Sequence, residues 1–184
     1  MKTLIIGQGA IGLLWYSHFK RHTTTEVQLL TSTRSACSKN TVKFKDAERS
    51  EMTFPFLPAT DEFIANSDLV IVCVKTFHIE AAVKQIASNL SPSATIVLCH
   101  NGMLSNESIK NIASNNHCVL SMLITHGSKL TAPFSIIHTG LGRVDIGVRY
   151  GQLSSKRQQE IIQLFSQALP PVYWHENILN MLWQ

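Results

Sequence analysis

Four short segments carry residues whose types and spacing suit chemistry on a charged ligand. The first is Gly7-Gln8-Gly9-Ala10-Ile11-Gly12, a G-x-G-x-x-G run near the amino end. Glycines cluster by chance, so the pattern gains weight only from its flanks. An aliphatic run, Thr3 to Ile6, precedes it, and apolar residues at helical spacing (Ile11, Leu14, Trp15, Phe19) follow it. In that setting Gly7 permits a tight turn, Gly9 lets the backbone approach a pyrophosphate with no Cβ in the way, and Gly12 lets the helix pack closely on the strand. The helix N-terminus offers free N–H groups and the positive end of its dipole to the diphosphate. Gly7, Gln8, Gly9, Ala10, Ile11 and Gly12 are therefore candidate cofactor contacts.

The end of the second strand chooses between dinucleotides. An enzyme for NAD usually places Asp or Glu there, on the ribose 2′-hydroxyl. Here that end reads Thr31-Ser32-Thr33-Arg34, without a carboxylate, and Glu26 lies at the strand's start. A carboxylate repels a 2′-phosphate, whereas Arg34 and the neighbouring hydroxyls can bind it by charge-assisted hydrogen bonds. The expected cofactor is NADP(H).

Three more segments follow apolar, strand-like runs, where open parallel sheets bind ligands. Lys75 follows LVIVCV, His100-Asn101-Gly102-Met103 follows TIVLC, and Thr125-His126-Gly127-Ser128 follows CVLSMLI. Singly, each has an ordinary structural account: an exposed charge at a strand end, a turn, a satisfied buried histidine. Together, beside a dinucleotide motif, they favour a site.

These residues need a scaffold, and the pattern supplies one. Strand-like runs alternate with helical spacing: Thr3–Ile6, Ala10–Arg21, Glu26–Leu30, one or two short strands within 41–54, Leu69–Val74, Phe77–Leu90, Ala94–Cys99, Met103–Ser114 and Cys118–Ile124. This predicts an α/β fold, a Rossmann-type mostly parallel sheet with helices on both faces. Near the C-terminal end, Phe134–His138 and Arg143–Gly147 flank Thr139-Gly140-Leu141-Gly142 and read as a hairpin, which would add antiparallel strands to the sheet. A helix from Ser154, an edge strand Val172–Trp174 and a new helix from Glu176 complete the chain. Residues 1–175 are expected to form the nucleotide domain and 176–184 the start of an interdomain helix. The apolar stripe Leu179, Leu182, Trp183 has no Gly or Pro after it and reads as a helix cut short.

Composition excludes several classes. The chain has 184 residues, 45% hydrophobic and 15% charged, long enough for a buried core and not disordered. The net charge of +4 suits a phosphate-bearing ligand, but no basic stripe interleaves with aromatics, so nucleic acid is not an expected partner. Four cysteines (Cys37, Cys73, Cys99, Cys118) form no C-x-x-C pair and no zinc spacing, so no metal is expected and a reducing compartment is. No run reaches 18 apolar residues, so no membrane span is expected, and the start reads as a mature cytoplasmic N-terminus.

GQGAIG, VKTFH around Lys75, HNGM around Asn101, THGS around His126, IIHTGLGRVDIG and WHENILNMLWQ, in that order, resemble the N-terminal domain of the ketopantoate reductase (2-dehydropantoate 2-reductase) family. The resemblance implies an NADPH-dependent oxidoreductase of two domains. It reduces 2-dehydropantoate, a small-molecule 2-oxoacid, to (R)-pantoate on the route to pantothenate and coenzyme A. It also implies that Gly7 to Gly12 hold the pyrophosphate and Arg34 the 2′-phosphate. Lys75 lies near nicotinamide and substrate, Asn101 contacts cofactor and substrate, and Ser128, where the family has alanine, touches the nicotinamide side. Lys75 and Asn101 are thus supporting catalytic residues. The family's general-acid lysine follows the segment matching Leu182-Trp183-Gln184, and a helical second domain supplies most substrate contacts and much of a homodimer interface. The 184 residues alone are therefore expected to bind NADP(H) and to turn over poorly. Another NADP-linked 2-oxoacid or opine-type reductase and a non-catalytic NADP-binding regulatory module are the alternatives.

Overall fold

The computed structural model describes residues 1–32, 41–100, 104–113 and 117–182. Seven strands form the main sheet: β1 (Lys2–Ile6), β2 (Glu26–Leu30), β5 (Leu69–Val72), β6 (Thr95–Cys99), β7 (Cys118–Ile124), β10 (Val144–Tyr150) and β11 (Val172–Trp174). Their order is β11-β10-β7-β6-β5-β1-β2. The five strands from β2 to β7 are mutually parallel, β10 runs antiparallel to β7, and β11 pairs parallel with β10. The expected α/β fold and its antiparallel addition are both present. β1, β5 and β6 are buried along almost their whole length because helices cover both faces, which is why their sequences run apolar without alternation.

One face carries α1 (Ala10–His22) and α5 (Ser155–Ala168); their contact is sealed by Trp15 against Phe165, with ring centroids 5.0 Å apart. The other face carries α2 (Asp61–Ala65), α3 (Ile79–Lys84) and α4 (Asn106–Ile112), whose Phe63, Ile79, Val83 and Ile109 pack on Leu4, Val70 and Leu98. Burying each such side chain contributes roughly 1.5–3 kcal/mol. Hydroxyl caps start three of these helices: Thr60, Ser105 and Ser154 each accept from a backbone N–H three residues on. α6 (Leu179–Leu182) closes the described chain.

Three expectations are corrected. The segments around Thr139-Gly140-Leu141-Gly142 do not form a hairpin. β9 (Ser135–Gly140) and β10 belong to different sheets, because beyond Gly140 the chain pairs with the end of β7: Thr125 N–H donates to Arg143 O at 3.0 Å, and Arg143 N–H to Thr125 Oγ1 at 2.8 Å. Gly142 permits this crossing, since a Cβ there would lie 2.4 Å from the Thr125 carbonyl carbon. The actual hairpin is one step earlier, between β8 (Gly127–Ala132) and β9, turning at Pro133-Phe134 with Phe134 at φ 57°. β9 joins a second, four-stranded sheet of order β4-β3-β9-β8, built with β3 (Thr41–Lys45) and β4 (Glu51–Pro55), which the sequence reading did not separate from the first. Finally, Phe77–Leu90 is not one helix. A 3-10 turn (Thr76–His78) leads into α3, and beyond Lys84 the α-helical ladder breaks into turns that mix i→i+3 bonds, such as Asn89 N–H to Ile86 O, with i→i+4 bonds, such as Leu90 N–H to Ile86 O. The apolar face survives, with Ile79, Val83, Ile86 and Leu90 all buried.

Candidate nucleotide-binding site

Each glycine of the turn has its own reason. Gly7 sits at φ 112°, and a Cβ there would come 2.7 Å from Cys73 O. At Gly12 a Cβ would be 2.0 Å from Gly7 O, so helix and turn touch only because it is absent. At Gly9 a Cβ would meet nothing within 4 Å. The protein itself makes no demand for glycine there; the open space above it fits a ligand's close approach. Gly9 is also the N-cap of α1 and has no side-chain cap, and the first turn holds no acidic residue, so the orphan N–H groups face outward with their dipole unopposed. These features fit a bound diphosphate.

Gln8 ties this turn to the end of β2. Its Oε1 accepts from Ser32 N–H at 2.9 Å, and its Nε2 donates to Ser32 Oγ at 3.2 Å. No carboxylate stands at this end among the described residues, and Glu26 pairs with Lys2 at the opposite end of the strands. Arg34 lies outside the described residues, as does Asn101.

Beside the turn, a cavity of about 250 Å³ is walled by Gly9, Ala10, Ile11, Cys73, Val74, Lys75, Thr76, Cys99, His100 and Ile124. It opens where β1, β5, β6 and β7 end, so the topology gathers the glycine turn, Lys75 and the segment after β6. Lys75 precedes the 3-10 turn, has no described ion pair, and holds its Nζ 6.0 Å from the Phe77 ring centre. A larger groove of about 870 Å³ runs between α3 and α4, lined by Thr76, Phe77, Ala81, Ala87 and Leu104 among others and by no residue of the glycine turn.

The segment after β7 divides. Ile124 reaches the cavity wall, but Ser128 stands on β8 opposite His138, outside that wall, with its Oγ buried and without a hydrogen-bond partner among the described residues. His126 is buried and belongs to a row of imidazoles. Its Nδ1 lies 3.3 Å from His138 Nε2, and His138 Nδ1 lies 3.3 Å from His18 Nε2. Burial, reinforced by His138, lowers the His126 pKa to about 4; burial, reinforced by the neighbouring histidines and Arg21, lowers that of His18 to about 3. His126 is thus partnered at Nδ1, while its Nε2 is buried without a hydrogen-bond partner among the described residues. His18 and His138 gave no sequence signal, because they sit 120 residues apart on different elements. Behind the site, Asp145 accepts from Arg143 Nε at 2.8 Å and from His175 Nε2 at 2.7 Å, fixing the chain that leads to α6.

Fold and site together define a Rossmann-type α/β domain with a glycine turn at the carboxyl ends of its parallel strands. More particularly, the profile of the ketopantoate reductase PanE/ApbA family matches residues 3–151, and the chain belongs to that family. It is 32% identical to the 2-dehydropantoate 2-reductase of Shigella flexneri, over all of this chain and 58% of the relative. The chain therefore spans little more than half the length of the curated relatives it matches. Among solved structures, 2-dehydropantoate 2-reductase from Geobacter metallireducens GS-15 superposes with a TM-score of 0.83 at 22% identity, over all of this chain and 60% of that one. D-mandelate dehydrogenase, in a ternary structure with NADH and anilino(oxo)acetate, superposes at 0.81 and 17% identity, over all of this chain and 59% of that one. At such identities the likeness is one of fold.

Proposed function

We propose that this chain is the nucleotide-binding part of an NADPH-dependent 2-dehydropantoate 2-reductase, acting in the formation of pantoate for pantothenate and coenzyme A. The observation that carries this is the glycine turn: open above Gly9, closed beneath Gly7 and Gly12, and set against a cavity that holds Lys75. Family membership supplies the reaction class, and the carboxylate-free end of β2 supports the 2′-phosphate form of the cofactor.

The reduced nicotinamide, when bound, supplies hydride to the substrate's C2 carbonyl. The chain's own residues bind and orient. The α1 N-terminus and the turn hold the diphosphate, and Arg34 with Ser32 and Thr33 takes the 2′-phosphate. The Lys75 ammonium brings positive charge to the mouth of the cavity, where charge develops on the substrate oxygen. Asn101 orients substrate and cofactor, and Ser128 lies toward the nicotinamide side. Ile124 and the thiols of Cys73 and Cys99 form an apolar wall that excludes water. The main proton donor, a lysine by resemblance to the family, and most substrate contacts belong to the remaining length of the relatives, so the 184 residues bind nucleotide and turn over slowly. Homodimerisation and a cytoplasmic location complete the reading; among the described residues no helix is long and apolar enough to cross a membrane.

Titrating the chain and its Arg34→Ala variant with NADPH and NADH tests this. The expected result is a preference for NADPH of at least about tenfold, corresponding to one charge-assisted contact, which the variant loses. Equal affinity of the parent for both cofactors would remove the NADP assignment. A different 2-oxoacid substrate is the second reading, since D-mandelate dehydrogenase shares the fold; a substrate panel on the longer protein separates the two.

A further inference from the structure

Two sheets leave four edges, and three of them are blunted. Beyond β2 a strap covers the edge: Leu29 N–H donates to Leu57 O at 2.9 Å, and Ala59 N–H donates to Leu29 O at 3.0 Å. β11 has only three residues and follows Pro170-Pro171. β8 breaks register twice, at Gly127/Ser128 and at Leu130/Ala132, and such bulges turn an edge away from new pairing. β4 has none of these devices. It pairs with β3 without a break, from Thr41↔Pro55 to Lys45↔Glu51, and Pro55 alone stops it.

The direction of its free groups follows from β3. Lys43 N–H donates to Phe134 O at 2.8 Å, toward β9. Antiparallel pairs alternate between bonded and non-bonded positions, so Lys43↔Thr53 is a non-bonded pair, and the Thr53 N–H and C=O point out of the sheet edge. Two residues away the same holds for Glu51. Pro55 has no N–H, and its carbonyl accepts from Tyr16 Oη–H at 2.7 Å. Among the described residues no hydrogen bond reaches the Thr53 or Glu51 backbone from that side, and both residues are exposed. The side chains divide by face. Met52 and Phe54, half-buried, pack with buried Val42 and Phe44 in the cluster on the α1 side. Thr53 and Glu51 lie on the other face, where Lys45 Nζ holds Glu51 Oε1 at 3.1 Å.

We infer that β4 is a self-pairing edge: two copies of this chain join antiparallel about a two-fold axis at Thr53 and fuse their four-stranded sheets into one continuous sheet. In that register Thr53 faces Thr53 of the second copy, and the two exchange N–H···O bonds. Met52 faces Phe54 of the second copy, a thioether against an aromatic ring, so half-exposed apolar surface leaves water on both copies. Glu51 faces Pro55 of the second copy, so no like charges stand opposite each other. A second copy fits better than a loose peptide because its strand is already ordered, whereas a peptide must first lose backbone entropy. The seam is separate from the homodimer contact that the family resemblance assigns to the helical domain, and it does not depend on the nucleotide reading.

Sedimentation equilibrium of the full chain over a wide concentration range tests this. The expected result is a reversible monomer–dimer equilibrium in roughly the micromolar range, since one strand pair buries less than a standard stable interface. Thr53→Pro deletes the central N–H yet spares the β3 ladder, because that N–H faces away from β3; dimerisation should weaken at least about tenfold. Thr53→Glu and Thr53→Lys each set like charges against one another across the two-fold axis. Each alone should dimerise less than the parent, with the deficit shrinking at high salt. Mixed in equal amounts, the two should associate more tightly than either alone, a result that requires residue 53 to meet residue 53. Circular dichroism and thermal midpoints check that the variants fold; should Thr53→Pro misfold, the charge mixture carries the test. A parent that stays monomeric throughout overturns self-pairing and leaves the edge to a foreign strand. A dimer that Thr53→Pro leaves intact, or a mixture no tighter than its parts, places the contact elsewhere and overturns the inference equally.

Discussion

His138 Nε2 lies 3.3 Å from His126 Nδ1, and the backbone N–H of Gly142 points at that same Nδ1 from 3.1 Å. A backbone N–H can only donate, so His126 Nδ1 bears no proton and the neutral ring carries its proton on Nε2. For the His138 contact to attract, His138 Nε2 must donate; its Nδ1 is then bare and accepts from His18 Nε2 at 3.3 Å. One fixed donor thus sets the tautomer of three buried rings.

The row makes stability fall in acid. His18 and His126 are held neutral, with folded pKa values of about 3 and about 4, and burial lowers that of His138 as well. Arg21 and His22 oppose added charge at His18, while Asp46 and the Gly140 carbonyl partly favour it at His138. An unfolded histidine titrates near 6.5. The native state therefore binds fewer protons than the unfolded chain below that pH, and stability, complete above about pH 6.5, declines as pH falls toward about 4. Urea midpoints at pH 7.5 and 5 should show the loss. His18→Leu should be less stable than the parent at pH 7.5, because His138 Nδ1 loses its donor, yet should lose less on acidification. An identical pH dependence in parent and variant would contradict the row's role.

Gly9 and Gly12 separate folding from binding. Gly12→Ala drives a methyl into Gly7 O, where overpacking costs about 1–3 kcal/mol or more, and its thermal midpoint should fall by many degrees. Gly9→Ala meets open space, so its stability should stay within about 0.5 kcal/mol of the parent, while NADPH affinity drops at least about tenfold from the clash with the ligand. Calorimetry and ligand titration on the two variants check both statements; unimpaired NADPH binding by Gly9→Ala would place the diphosphate elsewhere.

Asp145 anchors two elements. Its carboxylate is 4% exposed and accepts from Arg143 on one side and His175 on the other. In Asp145→Asn the amide nitrogen would face a donor, and the loss should be about 2 kcal/mol, read as a lower denaturant midpoint. A variant as stable as the parent would show that these bonds only replace bonds to water.

Lys75→Gln keeps length and polarity but removes charge from the cavity mouth. NADPH binding should weaken about fivefold, equivalent to about 1 kcal/mol in a partly solvated setting, and raising ionic strength should narrow the gap between parent and variant. A gap independent of salt would mean that Lys75 acts through packing on Phe77 instead.

Local order was legible in the sequence because it follows from local chemistry. Continuous apolar runs at 69–74 and 94–99 read as strands covered on both faces, as β5 and β6 are, and the spacing of Ile79, Val83, Ile86 and Leu90 marked one buried stripe even where the helix itself ended at Lys84. The tight turn at Gly7 and the close packing at Gly12 were legible from the flanking strand and helix, since strand, turn and helix are contiguous there. Partnership between distant segments could not. Whether the chain after Gly140 turned back on β9 or crossed to β7 depended on which strand edge was unpaired, and only the assembled sheet decides that. The same holds for the imidazole row and for Asp145 between Arg143 and His175. Each is a contact between elements whose separation along the chain carries no record of their distance in space, and packing of the completed core sets that distance.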